Sequence, residues 1–197
     1  MKDKTACFTG HRDIPPLKRP GIKHRLEREI ERSIQAGYVY FGAGGALGFD
    51  TLAAQMVLKL KERYPDIKLI LVLPCKTQTS GWKQTDIDEY ERIKAAADKV
   101  VFTSEVYYRG CMHKRNRHLV DNSSLCICYL TEDRGGTYYT VNYAKENGLK
   151  IIEQEDDGEP FEEKMSRLTS ELSDMFAKSH ELEDEIRRKL GAIGYEI

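Results

Sequence analysis

The fold is indicated most directly by residues 38–50, which read YVYFGAGGALGFD. An apolar run rich in aromatic residues changes at Gly42 into a glycine loop, and an apolar stripe with helical spacing follows at Leu52, Ala53, Met56 and Leu60. A glycine loop that opens into a helix permits close backbone approach, and the free N–H groups at the helix start favour a phosphate. This stretch therefore predicts one strand–loop–helix unit with a ligand site at its loop.

The same alternation continues along the chain. Five- or six-residue apolar runs, and one of four, predict strands at residues 5–9, 38–42, 68–73, 99–103, 125–130 and 149–152. Segments with helical periodicity lie between them, as in the stripe Ile22, Leu26, Ile30 and Ile34. Strict alternation of strand and helix predicts an α/β fold with a doubly wound, mostly parallel sheet and right-handed crossovers.

The distribution of charge divides the chain in two. Of its 197 residues, 1–153 hold 25 basic and 19 acidic side chains, whereas 154–197 hold 6 basic and 13 acidic ones. The first part has the usual size of one domain, so we expect a ligand-binding domain at 1–153 and an acidic amphipathic helical extension at 154–197. The extension carries a heptad-like stripe with an interruption expected near Ser179. Its members are Phe161, Met165, Leu168, Leu172, Met175, Leu182, Ile186 and Leu190. Such a helix either folds back on its own domain, the favoured alternative, or pairs with a second copy in a homodimer.

The sequence also gives expectations about the cellular compartment and about bound metals or cofactors. No apolar run approaches the roughly 20 residues of a membrane helix. The N-terminus enters a strand without an apolar leader, and five cysteines without a C-x-x-C pair fit a reducing environment. We therefore expect a cytoplasmic protein without membrane association. No cluster of His, Cys and Asp has metal-ligand spacing, so neither a metal nor a cofactor is expected.

Ligands of such sheets bind at the carboxyl ends of the strands, so the residues that follow each strand are the candidates. Glycine N–H groups would hold a phosphate, arginines would neutralise it, and Asp50 would either cap a helix or accept a ribose hydroxyl. Trp82 would stack on a base or pack in the core. The candidate ligand-binding residues are Thr9, Gly10, His11, Arg12, Gly44, Gly45, Gly48, Asp50, Trp82, Arg115, Asn116, Arg134, Gly135, Gly136 and Thr137.

Several of these positions form recognisable motifs, namely CFTGHR at 7–12, GGALGFDTLA at 44–53, Arg115-Asn116 with Val120-Asp121, and RGGT at 134–137 with Thr140. With these motifs the chain resembles the YpsA-like branch of the SLOG superfamily, Rossmann-like domains related to the LOG phosphoribohydrolases. The resemblance covers roughly residues 4–153. It implies a site for a nucleotide or nucleotide-derived ligand in a bacterial cytoplasmic protein, linked in some Firmicutes to control of cell division, with no established reaction.

The relation to LOG hydrolases raises an enzymatic alternative, an N-glycosidase that removes the base from a nucleoside monophosphate. The loop of those enzymes, PGGxGTxxE, departs here because Arg134 replaces the proline and residues 135–145 contain no acidic residue. Glycosidic cleavage needs a carboxylate near the ribose, which leaves Asp50, Glu132 or Asp133. The favoured prediction is therefore a sensor or regulator that binds a small nucleotide. Nucleic acid is not the expected partner, because the sequence shows neither interleaved aromatic residues nor a recognition-helix pattern.

Overall fold

The computed structural model describes residues 1–154 and the helix at 161–192, with side chains of that helix described for 165–189. Its centre is a sheet of six parallel strands in the order β4-β3-β2-β1-β5-β6. The strands are β1 (Thr5–Gly10), β2 (Tyr40–Ala43), β3 (Lys68–Leu73), β4 (Lys99–Phe102), β5 (Leu125–Tyr129) and β6 (Lys150–Glu153). The predicted Rossmann-like α/β fold is confirmed.

Helices cover both faces of the sheet. They are α1 (Arg19–Gln35), α2 (Phe49–Lys61), α3 (Gln84–Ala96), α4 (Cys111–Asp121) and α5 (Gly135–Glu146), with short 3₁₀ turns at Lys2–Lys4 and Pro16–Lys18. Neighbouring residues of β1 face the two helix layers. Phe8 packs in one core cluster with Leu26 of α1. Cys7 packs in the other cluster with Leu119 of α4 and Val141 of α5. Because every crossover is right-handed and the strand order reverses after β4, the helices before β4 lie on one face of the sheet and those after it lie on the other.

The reversal places two loops side by side. The strand order changes direction between β1 and β5, and the register pairs Gly10 at the end of β1 with Tyr129 at the end of β5. The loops that follow these two strands leave the sheet at the same edge. This edge is the topological switch point, where ligands bind in open α/β sheets.

The chain divides into two compact units, residues 1–156 and 157–197. The second contains α6 (Phe161–Ala192). The interruption expected near Ser179 is wrong, because residues 161–190 contain neither proline nor glycine and serine and histidine are tolerated inside helices. Side chains of its apolar stripe are exposed, with Met175 at 66% and Ile186 at 51%. Both alternatives for this helix, folding back on its own domain and pairing with a second copy, stay predictions. Among the described residues, no helix combines the length and apolar character that crossing a bilayer requires.

Candidate functional site

The loops after β1 and β2 interlock at the switch-point edge. The N–H of Phe49 donates to the carbonyl oxygen of His11 at 3.1 Å. Gly48 has a φ of +76°, and a Cβ at this position would lie 2.1 Å from the carbonyl oxygen of Arg12. A Cβ on Gly10 would lie 2.5 Å from the Phe49 side chain. Contacts within the protein therefore explain why glycine stands at both positions. At Gly48 the close approach and the left-handed backbone conformation both require glycine.

A buried ion pair lies beside this junction. Arg115 of α4 crosses the sheet edge, where its Nη1 donates to Oδ2 of Asp50 at 3.2 Å, with the two side chains 8% and 4% exposed. The N–H of Ala46 donates to the same oxygen at 3.3 Å. Burial raises the pKa of Asp50, and the charge of Arg115 and the Ala46 hydrogen bond oppose this rise. The pair thus connects α4 on one face of the sheet with the start of α2 on the other.

The first glycine loop is filled by groups of the protein itself. A Cβ on Gly44 would lie 1.4 Å from Nη1 of Arg115, and one on Gly45 would lie 2.6 Å from the Leu73 side chain. Gln78 Nε2 donates to the Gly45 carbonyl oxygen at 2.6 Å. The Asp50 carboxylate faces Arg115 inside the protein and would reach a ribose only after this pair opened. The charge of Arg115 is likewise already matched by a carboxylate.

Two other candidates are held by aromatic contacts. His11 Nε2 accepts a hydrogen bond from the N–H of Thr131 at 3.0 Å, and its ring lies edge-on to Tyr129 at 6.2 Å. This bond ties the loop after β1 to the loop after β5. Trp82 is half-buried and lies edge-on to Tyr90, with ring centroids 5.6 Å apart. Trp82 thus makes the packing contact that was one of its two predicted roles.

The second glycine loop, between β5 and α5, is open. Helix α5 begins at Gly135 with a φ of +86°, and no side chain caps its first N–H groups. A Cβ on Gly135 or Gly136 would meet nothing within 4 Å. The Arg134 side chain is 88% exposed and contacts Glu132 at 3.4 Å. Uncapped amide donors beside an exposed cation can bind an anion.

Further candidates support or flank this loop. Arg12 is exposed and makes no ion pair within residues 1–154, and Thr137 is half-buried in the first turn of α5. Asn116 Nδ2 donates to Oγ1 of Thr140 at 2.6 Å, and that hydroxyl donates to the Gly136 carbonyl oxygen at 2.7 Å. Asn116 therefore braces the first turn of α5 from α4. Thr9, 8% exposed, lies within β1 beside Cys128.

Two residues that shape the edge were not among the candidate ligand-binding residues, although Thr140 was part of a recognised motif. Thr140 is 2% exposed and links Asn116 to the Gly136 turn. It belongs to the RGGT motif region, and its position four residues after Gly136 was the available signal. Gln78 holds the first glycine loop from the segment after β3. No pattern in the sequence distinguishes it from its polar neighbours.

Comparison with known proteins agrees with this fold. The YpsA family model, described as the YspA SLOG family, matches residues 16–155. A UPF0398 protein of Halalkalibacterium halodurans is 28% identical over 169 residues, which cover 84% of each chain. The SPbeta prophage-derived protein YoqJ of Bacillus subtilis is 30% identical over 141 residues, which cover 65% of this chain and 82% of that protein.

Two solved structures share the architecture. DNA processing protein A from Helicobacter pylori has a TM-score of 0.57 and 17% identity, over 81% of this chain and 69% of that one. Its counterpart from Streptococcus pneumoniae has a TM-score of 0.58 and 16% identity, over 86% of this chain and 57% of that one. Identities this low show the fold alone.

The Helicobacter pylori structure is described in terms of a single-stranded DNA binding mode. The expectation that set nucleic acid aside as a partner is therefore wrong, because a protein with this fold binds it. The resemblance to the SLOG superfamily is confirmed, since the family model matches 16–155, well over half of the chain. The chain belongs to the YpsA family of SLOG proteins.

Proposed function

We propose that this protein binds a nucleotide-derived ligand through its phosphate at the start of α5 and acts as a sensor or regulatory domain. The observation that carries the proposal is the open β5–α5 turn. Gly135 and Gly136 have free space around their α-carbons, and Arg134 is exposed beside them at the switch point. The first glycine loop is filled by Arg115, Leu73 and Gln78. This contrast supports the second loop as the proposed phosphate site.

The chemistry of the turn suits a phosphate. The N–H groups of the first turn of α5 have no side-chain cap, and the positive end of the helix dipole lies there. Arg134 supplies a guanidinium for two parallel hydrogen bonds, and Thr137 adds a hydroxyl in the same turn. The brace from Asn116 through Thr140 fixes the Gly136 carbonyl, so the donors are ordered before a ligand arrives.

The positions of the carboxylates favour binding over hydrolysis. Asp50 is 3% exposed and paired with Arg115, and residues 135–145 contain no acidic side chain. Glu132 and Asp133 remain, both exposed to solvent before α5. An oxocarbenium-like transition state requires a carboxylate held against the ribose. The N-glycosidase alternative therefore predicts adenine release from AMP that Glu132→Gln or Asp133→Asn abolishes, whereas the sensor predicts no release.

The test of binding uses Gly136→Asp with Gly136→Asn as its isosteric neutral control. Space around Gly136 admits either side chain, and an acidic residue in the first turn of a helix does not destabilise it. Calorimetric titration with AMP, and with adenosine as the ligand without a phosphate, measures the affinity. We expect binding of AMP and not of adenosine.

The carboxylate introduced by Gly136→Asp would lie about 5 Å from the phosphate and would reduce the binding free energy by about 1 to 3 kcal/mol. This substitution should therefore weaken AMP binding roughly five- to 150-fold. Gly136→Asn should stay within about threefold of wild type, and Arg134→Gln should weaken binding because a cation is lost. Equal affinity of Gly136→Asp and wild type for AMP, with circular dichroism showing both folded, would falsify the proposal.

Single-stranded DNA is a second candidate ligand, favoured by the description of the Helicobacter pylori protein of the same fold. A phosphodiester offers the same anionic oxygens to the start of α5. Titration with a dT20 oligonucleotide beside AMP separates the two candidates. Tighter binding of dT20 than of AMP, lost in Gly136→Asp, would assign this turn to a strand of DNA.

A further inference from the structure

Helix α4 carries a basic surface that the proposed phosphate site does not use. Leu119 and Val120 pack into the core, whereas Lys114, Arg117 and Asp121 recur at helical spacing on the exposed side. The exposed side of α4 and the loop before it line an open groove of about 520 Å³, which we call the α4 groove. Its lining includes Tyr108, Arg109, Lys114, Arg117, His118 and Asp121.

The charge of the α4 groove is positive. Arg109, Lys114 and Arg117 are exposed, and none of them forms an ion pair within residues 1–154. The lining contains one carboxylate, Asp121, whose Oδ1 accepts a hydrogen bond from the Tyr143 hydroxyl at 2.9 Å. Three unpaired cations along two turns of helix and the preceding loop suit an extended polyanion, because a single phosphate engages only one or two of them.

Aromatic side chains border these cations. Tyr108 in the groove is 44% exposed, and its neighbour Tyr107 is 64% exposed. On the side of Asp121, Tyr143 is stacked with Tyr139 at 6.2 Å. Tyr107 and Tyr108 directly precede Arg109 in the sequence. The fold adds Tyr143 of α5, whose hydroxyl contacts Asp121 of α4. Tyrosine faces exposed beside cations are platforms for unpaired bases.

We propose that the α4 groove binds single-stranded nucleic acid. Arg109, Lys114 and Arg117 contact successive phosphates, and a base stacks on Tyr108. An acidic peptide would use the cations and not the tyrosine face, and a duplex would present no unpaired base to it. The two requirements, charge and stacking, can be tested separately.

The charge is tested by fluorescence anisotropy of labelled dT20 with the whole 197-residue chain at 50 to 200 mM salt. Three phosphate contacts predict a slope of log K against log salt of about −2, since each contact on a single strand contributes about −0.7. Lys114→Gln/Arg117→Gln should reduce the slope to about −0.7 and weaken binding at 50 mM salt at least tenfold. The matched control Lys23→Gln/Arg28→Gln removes the same charge from exposed positions of α1, on the opposite face of the sheet, and should stay within about twofold of wild type.

Stacking is tested by Tyr108→Ala, which should weaken dT20 binding roughly five- to 150-fold, the equivalent of 1 to 3 kcal/mol for one stacked base. Tyr108→Phe keeps the ring and should bind as wild type does. Three results would each overturn the proposal. The groove and α1 double variants could lose equal dT20 affinity, Tyr108→Ala could bind dT20 as tightly as wild type, or the protein could bind a 20-base-pair duplex as tightly as dT20. Loss of dT20 binding in Gly136→Asp without loss in the groove variants would place the strand at the start of α5 and also overturn it.

Discussion

Replacing Asp50 by asparagine should leave the Arg115 guanidinium charged and unmatched inside the protein. The two side chains meet at 3.2 Å and are 4% and 8% exposed, so water does not replace the lost carboxylate. Asparagine has nearly the same shape, and its amide oxygen can still accept the hydrogen bond from the N–H of Ala46. The substitution therefore changes one thing, the negative charge beside Arg115.

The size of the effect follows from burial and distance. At 3.2 Å the attraction between unit charges is about 5 kcal/mol at an effective dielectric constant of 20. Removing one partner of a buried pair costs about 3 to 5 kcal/mol. Asp50→Asn should therefore lose about 3 to 5 kcal/mol of unfolding free energy. Asp50→Asn/Arg115→Met should lose less than the sum of the two single losses, because no charge remains buried.

Urea unfolding at pH 7, followed by the fluorescence of Trp82, measures these losses. Trp82 is the single tryptophan and packs against Tyr90 inside the first unit, so its signal reports unfolding of that unit. Arg115→Lys is an additional variant that keeps the charge and removes the planar donor group. A loss under about 1 kcal/mol for Asp50→Asn, or additive losses in the double variant, would show that the pair does not hold α4 to the start of α2.

Two of the three further predictions concern the same edge, and the third concerns Asp98 at the opposite edge, where β3 and β4 begin. Gly44→Ala places a methyl group 1.4 Å from the position of Arg115 Nη1, so it should displace the guanidinium and lose about as much stability as Asp50→Asn, with little further loss on adding Arg115→Met. Gly10→Ala places a methyl group 2.5 Å from Phe49 and should lose about 1 to 3 kcal/mol, whereas the matched Gly136→Ala meets no atom within 4 Å and should be neutral or up to about 1 kcal/mol more stable in the same urea assay. Burial would raise the pKa of Asp98, but hydrogen bonds from Lys61 and the N–H of Leu69 lower this pKa overall. Asp98 therefore stabilises the folded state fully above its unfolded pKa of about 3.9, and this stabilisation is lost as pH falls through the lower folded pKa. Asp98→Asn should therefore flatten the acid dependence of stability below about pH 4, and an unchanged slope would contradict this assignment.

The strands were predictable because buried parallel strands are continuous apolar runs. The prediction for β3 has the observed ends, and that for β2 begins two residues early. The reason is visible at Tyr38, whose N–H donates to the carbonyl oxygen of Ser33 at the end of α1 and not to a neighbouring strand. Apolar character alone does not distinguish these two partners.

The residues of the edge were predictable as a group, but their individual roles were not. Gly48 and Gly136 follow strands in similar loops, yet a Cβ on Gly48 would strike the Arg12 backbone and one on Gly136 would meet open space. The lining of the α4 groove comes from one continuous stretch, residues 108–121, and the groove was not predicted because a run of charged residues on a helix is normally only a solvated face. The tertiary structure forms the groove by placing the loop before α4 beside the exposed side of that helix.

The sequence by itself determined the alternation of strand and helix, the edge at which the glycine loops gather, and the division into a basic body and an acidic extension. These follow from local periodicity and composition, which each segment carries alone. Only the tertiary structure decided which glycine loop is filled and which is open. Arg115 lies 65 residues from Asp50 along the chain, and its guanidinium occupies the space beside Gly44 because α4 returns across the sheet to that edge. Burial depends on such distant neighbours, and no local pattern records them.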